Sequence, residues 1–197
     1  MKVLHVYRTY FPDSQGGLEE VIRQICLGSG ESGVASRVFT LSDEPYPRLL
    51  PRVEADVLRV RKTFEVASCG FALAGLRKFA RAVAWADVVH YHYPWPFSDV
   101  MYLAAGRGRP SVLTYHSDIV RQKLLLSLYR PLMKRYLGAM DRIVATSPNY
   151  FATSEVLNEF ADKVEVIPIG LNEPSYPAID EQHRYLAAAR ARYGADF

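Results

Sequence analysis

The sequence predicts an α/β fold built on a doubly wound parallel sheet, and three observations carry the prediction. Short β-branched and aromatic runs alternate with stretches of helical period along most of the chain, and strands alternating with helices pack as a parallel sheet with helices on both faces. Turn-forming residues mark each change of period. The runs are also followed by glycine or polar residues at their carboxyl ends: Gly16 and Gly17 after the first, His90 and His92 at a middle one, His116 and Ser117 after the next. In an open parallel sheet those ends border one crevice, which is where ligands bind.

Taken in order, Lys2 to Tyr7 (KVLHVY) reads as the first strand and Thr9 to Gln15, with Pro12, as a loop. From Gly17 onward Leu18, Val21, Ile22, Ile25 and Cys26 recur at helical spacing, and the helix ends among the glycines between Gly28 and Gly33. Ala35 to Leu41 is a second strand. Pro45, Pro47 and Pro51 mark a turn region before a third strand, Asp56 to Arg61. Helical spacing then covers Phe71 to Trp85, and Asp87 to Tyr91 is a strand stopped by Pro94 and Pro96. A short helix over Phe97 to Ala105 leads to the strand Ser111 to Tyr115. The long helix Val120 to Met140 contains Pro131, which is expected to kink or divide it. Arg142 to Thr146 is a strand capped by Ser147 and Pro148; a helix then runs to about Phe160, and Lys163 to Ile167 is the last strand. Beyond Gly170 the residues Asn172, Pro174, Ser175 and Pro177 read as a linker, followed by a lone helix from Asp180 to Tyr193. The expected division is a domain over 1–170 and, over 171–197, a linker with the start of a second domain.

Composition narrows the function classes. A chain of 197 residues, 49% apolar, can bury one full core. A net charge of +3, with no zinc-finger, RNP or helix-turn-helix signature, argues against a nucleic-acid partner. Cys26 and Cys69 form no CxxC pair and sit at no ligand spacing from histidine, so neither a disulfide framework nor a structural zinc is indicated. The amino-terminal apolar run is interrupted by His5, Arg8, Pro12 and Asp13, unlike a signal peptide, and no run nears the length of a membrane span. A cytoplasmic setting is expected.

Four groups of residues could carry chemistry. Gly16 and Gly17 lack Cβ and sit where a helix presents unpaired N–H groups, which suits an anion such as phosphate; the alternative is a plain turn into a helix. The pattern is neither GxGxxG nor GxxxxGK[ST], which argues against dinucleotide dehydrogenases and P-loop nucleotidases. His90 and His92 share one face of a strand. Of the two, His92 is expected nearer the rim and functional, while His90, deeper, and His5, mid-strand, read as structural. His116, Ser117 and Asp118 open the loop after the adjacent strand and could face the same crevice. His90, His92 and His116 lack the i, i+4 spacing of a helical zinc site, so no metal is expected. Between Ile119 and Met140 stand Arg121, Lys123, Arg130, Lys134 and Arg135 with no acidic residue. Two readings stay open for this helix: packing on the sheet with a solvated basic face, or peripheral contact with an anionic membrane at its inner face. Arg121 and Lys123, at its start, could also bind phosphate.

At these residues the chain resembles the amino-terminal half of the GT-B retaining glycosyltransferases of family four, the group-1 family, which transfers sugar from a nucleotide-sugar donor. KVLHVYRTYFPDSQGGLEEVI matches the family's first strand, GG loop and helix; DVVHYHYP its histidine strand; LTYHSDI the next strand; and ATSPNY with VEVIPIGLN the strands that close its first domain. The HSDIVRQK stretch is most similar to mannosyltransferases of surface polysaccharide assembly, such as lipopolysaccharide. The resemblance implies a Rossmann-like acceptor-side domain over 1–170, one half of a two-domain architecture whose other half holds the donor. It implies that Gly16 and Gly17 approach the donor diphosphate, that His92 sits beside the transferred sugar as the catalytic histidine, and that His116, Ser117, Asp118, Arg121 and Lys123 serve the acceptor or substrate, a glycan or lipid-linked saccharide. It further implies retention of anomeric configuration, with no metal cofactor.

The family's second domain, with its basic pair and its paired glutamates, is absent. Glu173 and Glu181 have the paired spacing but lie in a Pro-broken linker, and the match is read as coincidence. The chain is therefore expected to fold yet transfer no sugar alone, its own carboxyl-terminal domain being the partner that completes it. Two alternatives remain at this point: a noncatalytic glycan- or nucleotide-binding module, and a nucleotide-sugar epimerase of the same architecture. An epimerase should place carboxylates in the crevice, where only Asp13 and Asp118 are near.

Overall fold

The computed structural model describes residues 1–66, 69–72, 75–119, 123–175 and 179–194. Its strands are β1 (Lys2–Val6), β2 (Ala35–Ser42), β3 (Leu49–Pro51), β4 (Asp56–Arg61), β5 (Phe64–Val66), β6 (Cys69–Phe71), β7 (Val88–Tyr93), β8 (Ser111–Tyr115), β9 (Arg142–Ala145) and β10 (Val164–Val166). Eight of them form one sheet in the order β10-β9-β8-β7-β1-β2-β4-β3. Every pairing is parallel except β3 with β4. From β1 the chain steps first to β2 on one side and later to β7 on the other, so β1 and β7 flank the switch point at which α/β sheets open their crevice.

The helices are α1 (Gly17–Glu31), α2 (Leu76–Trp85), α3 (Pro96–Met101), α4 (Lys123–Gly138), α5 (Pro148–Thr153), α6 (Glu155–Asn158) and α7 (Ile179–Tyr193). Strand alternation sends Leu4, Val6, Phe39, Leu41, Val89, Tyr91, Tyr93, Leu113, Tyr115, Ile143 and Ala145 into one buried cluster. There they meet Phe79 and Val83 of α2, Met101 of α3, Met133, Tyr136 and Leu137 of α4, and Leu157 of α6. The opposite face is covered differently. On it Ile22 and Cys26 of α1 pack against Tyr7, Tyr10, Val38 and Val57, and α1 is the one sheet-covering helix there among the described residues. Doubly wound holds, but with unequal cover on the two faces.

Several elements differ from expectation for local reasons. The Pro-rich turn region contains the antiparallel edge strand β3. Phe71, the first residue expected in the second helix, instead ends the hairpin β5–β6, and α2 begins only at Leu76. The hairpin is closed by Phe64 stacking on Phe71 (4.8 Å), and it docks through Phe71 against Phe97 (5.2 Å) and through the fully buried Trp95, whose Nε1–H donates to the Gly70 carbonyl at 3.1 Å. Pro131 lies inside α4 without dividing it. The helix expected to reach Phe160 is instead split at Ser154, which caps α6 by accepting from the Leu157 N–H. β7 runs to Tyr93, two residues past the expected end.

After β10 the chain lies along α1. The Asn172 N–H donates to Gln24 Oε1 (2.5 Å), Asn172 Nδ2 donates to Glu31 Oε1 (2.8 Å), and Ser175 Oγ accepts from Gln24 Nε2 (3.0 Å). Glu173 sits in a 3-10 turn here, away from any strand–helix junction. Among the described residues no helix is long and apolar enough to cross a membrane.

Candidate active site

The loop between β1 and α1 brings the start of a helix to the crevice. α1 starts at Gly17 with Gly16 at its cap position, and among the described residues no side chain caps it, which leaves its first N–H groups for a ligand or water. The two glycines do different work. A Cβ on Gly16 would come within 2.8 Å of Glu19 Oε2, whereas beside Gly17 there is open space within 4 Å. Gly16 is thus what lets the buried Glu19 fold back over the helix start, where Ser14 Oγ donates to its Oε1 at 2.7 Å. The loop is also pinned from the sheet. Arg59, on β4 and buried, donates through Nε to Asp13 Oδ2 (2.8 Å) and through its terminal nitrogens to the carbonyls of Glu44 (2.8 Å) and Tyr46 (3.0 Å). A guanidinium so enclosed is tolerated because its donors are taken. Asp13 is therefore a staple for the loop. Beside it a recess of about 240 Å³ opens between Arg8, Thr9, Ser14, Asp43 and Lys62.

The histidines converge on the α1 face of the sheet. Parallel pairing sets His5 opposite His90 and His92 opposite Thr114. Strand alternation therefore gathers His5, His90, His92 and Thr114 on one face, with His116 at the carboxyl end of β8. His5 Nδ1 lies 3.2 Å from His92 Nε2, and His92 Nδ1 lies 3.1 Å from His116 Nε2. His90 Nε2 shares a separate 2.7 Å bond with Thr114 Oγ1. Depth reverses the expected order: His92 is fully buried and His90 only partly so. The reason is the extra length of β7, which keeps position 92 inside the ladder. His5 is no bystander in this row either.

Burial favours the neutral imidazole throughout. Desolvation lowers His5 and His116 to about 4. It lowers His90 and His92 well below the ordinary value, with neighbouring imidazoles adding to the effect. Ligand atoms of His5, His90 and His92 lie within 4.8 Å of one another, so this trio is where a metal could be sought, and strand pairing rather than helical spacing creates it. The rings nevertheless meet edge to edge in the His5–His92 and His92–His116 pairs, at 25° and 20° between planes. A metal needs lone pairs converging on one point, whereas here each ring aims at the next.

Neighbour contacts join the two parts of the site. Tyr7 sets its ring edge-on to His92, 6.5 Å between centroids, and Arg8 lies 5.9 Å above the Tyr7 ring. Glu19 acts electrostatically on the Tyr7 hydroxyl. Among the remaining expected residues, His116 is half-buried at the rim and Ser117 is exposed. Asp118 is engaged elsewhere: its carboxylate accepts from Tyr115 (2.9 Å), Tyr150 (2.7 Å) and Ser154 (3.2 Å), fastening the β8 loop to α5 and α6. Arg121 lies outside the described residues, as does the side chain of Lys123, the first residue of α4. On α4, Arg130 and Lys134 both pair with Glu159, at 3.2 and 2.5 Å, while Met133, Tyr136 and Leu137 pack the helix into the core.

Sequence reasoning missed Arg59 and did not foresee the bond between His5 and His92. The alternation of histidine and tyrosine in VVHYHY was visible, but the register that sets His5 beside it is a property of strands 85 residues apart.

Fold and site together define an α/β domain with a mostly parallel sheet, an uncapped helix start and a row of imidazoles on one sheet face. The chain belongs to Glycosyltransferase Family 4, whose profile matches residues 15–173. It is 50% identical over 177 residues to D-rhamnosyltransferase WbpZ of Pseudomonas aeruginosa, covering 90% of this chain and 46% of that protein. It is 44% identical over 173 residues to O-antigen chain mannosyltransferase C of Escherichia coli, covering 88% of this chain and 47% of that protein. The chain thus spans about half the length of these relatives. Sucrose-phosphate synthase from Thermosynechococcus elongatus superposes with a TM-score of 0.65 at 18% identity, over 99% of this chain and 53% of that one. Anabaena Alr3699/HepE, solved with UDP and glucose, superposes with a TM-score of 0.60 at 17% identity, over 96% and 51%. These likenesses place the fold as one half of the GT-B architecture. The chain is a family 4 amino-terminal region related to O-antigen sugar transferases.

Proposed function

We propose that the protein to which this region belongs transfers a hexose from a nucleotide-activated donor to a glycan or lipid-linked acceptor, with retention of anomeric configuration. In this reading residues 1–170 form the acceptor-side domain, and a second domain beyond residue 197 supplies the rest of the donor pocket. The open N–H groups at Gly16 and Gly17 face the donor diphosphate, stabilising the negative charge that grows on the leaving group. The acceptor oxygen bonds to the anomeric carbon as the carbon–oxygen bond to the diphosphate breaks, and the acceptor proton passes to the departing phosphate oxygen. His116 and Ser117 contact the sugars at the rim.

The observation that carries this reading is the half-buried His116 ring bonded to the wholly buried His92 on the α1 face of the sheet. His92 has no exposed surface, so its part is to position His116 rather than to touch the sugar. The support for a polysaccharide substrate is the kinship with the rhamnosyl- and mannosyltransferases.

The test is transfer by the longer protein of a nucleotide-activated mannose or rhamnose to a lipid-linked saccharide, with the product linkage read by NMR. Retention is expected for the longer protein and no transfer for residues 1–197 alone. An inverted product, or turnover by residues 1–197 alone, would reject the reading.

A further inference from the structure

The imidazole row has a direction, and the direction fixes what His116 offers to a ligand. In both linked pairs the ring centroids, 5.5 and 5.4 Å apart, exceed the N···N distances of 3.2 and 3.1 Å by about the sum of the two centroid-to-nitrogen radii. Each N–H therefore points nearly straight at its neighbour's lone pair, within nearly parallel rings. A neutral imidazole has one donor nitrogen and one acceptor nitrogen, so choosing the proton position on one ring sets it on all three.

The choice is made at the inner end. His5 Nε2 is buried and has no hydrogen-bond partner among the described residues. An enclosed N–H without an acceptor is the costlier of the two ways to leave an atom unpaired, so the proton of His5 belongs on Nδ1. His5 Nδ1–H then donates to His92 Nε2. That places the His92 proton on Nδ1, from which it donates to His116 Nε2. The His116 proton is left on Nδ1.

We propose that His5, His92 and His116 form a directional chain of N–H···N bonds that holds His116 as a neutral Nδ1–H donor, unable to act as a general base. Its Nε2 lone pair is occupied by His92 and its Nδ1 already carries a proton, so His116 can give a hydrogen bond to a sugar hydroxyl or a phosphate oxygen but cannot accept the acceptor's proton. That assignment suits a reaction in which the leaving phosphate takes the proton. His5 and His92 are positioning residues in this scheme. Burial supports it by keeping all three rings uncharged near neutral pH.

The catalytic consequence rests on the transferase reading, but the chain itself can be tested without any sugar. In this chain labelled with 15N at histidine, the ring nitrogens report tautomers, and nitrogen–nitrogen coupling across a hydrogen bond reports its donor and acceptor. The expected result is the Nδ1–H form at His5, His92 and His116, with one coupling between His5 and His92 and another between His92 and His116. His116 in the Nε2–H form, or absence of both couplings, would overturn the proposal. His5→Phe should abolish the inner coupling and move the His116 nitrogen signals, although residue 5 bonds only to His92. His116 signals unchanged in a folded His5→Phe protein would also overturn it. Failure of sugar transfer with this spectrum intact would count against the proposed function alone.

Discussion

The two faces of β7 carry opposite chemistry on one backbone. Toward α2, α3 and α4 it presents Val89, Tyr91 and Tyr93, sealed into the main core with Tyr115, Tyr136 and Asp99. Toward α1 it presents His90 and His92, joined by hydrogen bonds to His5, Thr114 and His116. Burial acts on both, but with contrary sign. It lowers the histidines, favouring loss of a proton, and it raises the Asp99 carboxyl to about 8, favouring retention of one, even though Tyr129 and Ser98 donate to it. The face that carries the histidines ends in the half-buried His116. The other face ends in the core, and its polar groups serve packing.

The largest effect that would break this contrast is on turnover. His116→Ala in the longer protein should lower kcat by about 100-fold or more with the fold intact, as read by steady-state kinetics and circular dichroism, and a change below about threefold would remove His116 from the site. Acid should come next. An exposed imidazole titrates near 6.5 and His5 is held near 4, so the unfolded chain binds the proton first as pH falls. No cost exists above about 6.5, and the cost grows to roughly 3 kcal/mol for His5 by pH 4. Denaturant titrations across that window should therefore show stability falling with pH, and a flat profile would contradict the buried row.

Asp118→Ala should cost about 2 kcal/mol, because it strands the hydroxyls of Tyr115, Tyr150 and Ser154 together; urea midpoints measure this. The core face has the reverse pH slope. The Asp99 proton is kept in the folded state up to about 8 but lost in the unfolded chain near 3.8, so its contribution is full in acid and is lost as pH rises through 8. Asp99→Asn should flatten stability between pH 7 and 9 by about 1 kcal/mol. The smallest effect belongs to Tyr91→Phe. The hydroxyl of Tyr91 is buried without a partner among the described residues, so removing it should change stability by less than about 0.5 kcal/mol or raise it slightly, and should leave kcat unchanged.

What was legible in the sequence followed from local physics. The long strands and α1 were readable because β-branched runs, helical periodicity and punctuating prolines and glycines all lie within one stretch of chain. The β5–β6 hairpin was not, since three-residue strands around Gly70 carry no period of their own and depend on Trp95 and Phe97 to hold them. Gly16 and His116 were visible as residues at strand ends. The depth of His92 was misread because Pro94 suggested an earlier stop than the ladder allows, and the pairing of His5 with His90 is decided by sheet register. Arg59 looked like one charge in an alternating strand, and only the return of the Asp13 loop above it makes it a fastener.

The indole of Trp95 reaches across to the Gly70 carbonyl, and the other tryptophan, Trp85, lies at the far end of the sheet beneath Arg37, 4.1 Å from the guanidinium carbon to the ring centroid. The molecule thereby carries two indole fluorophores in unlike settings, one wholly dry and one beside a cation. With Trp85→Phe the remaining emission should be blue-shifted and should redden when the hairpin lifts away. Binding events at the neighbouring recess could then be followed by light from the native side chain, without an attached dye.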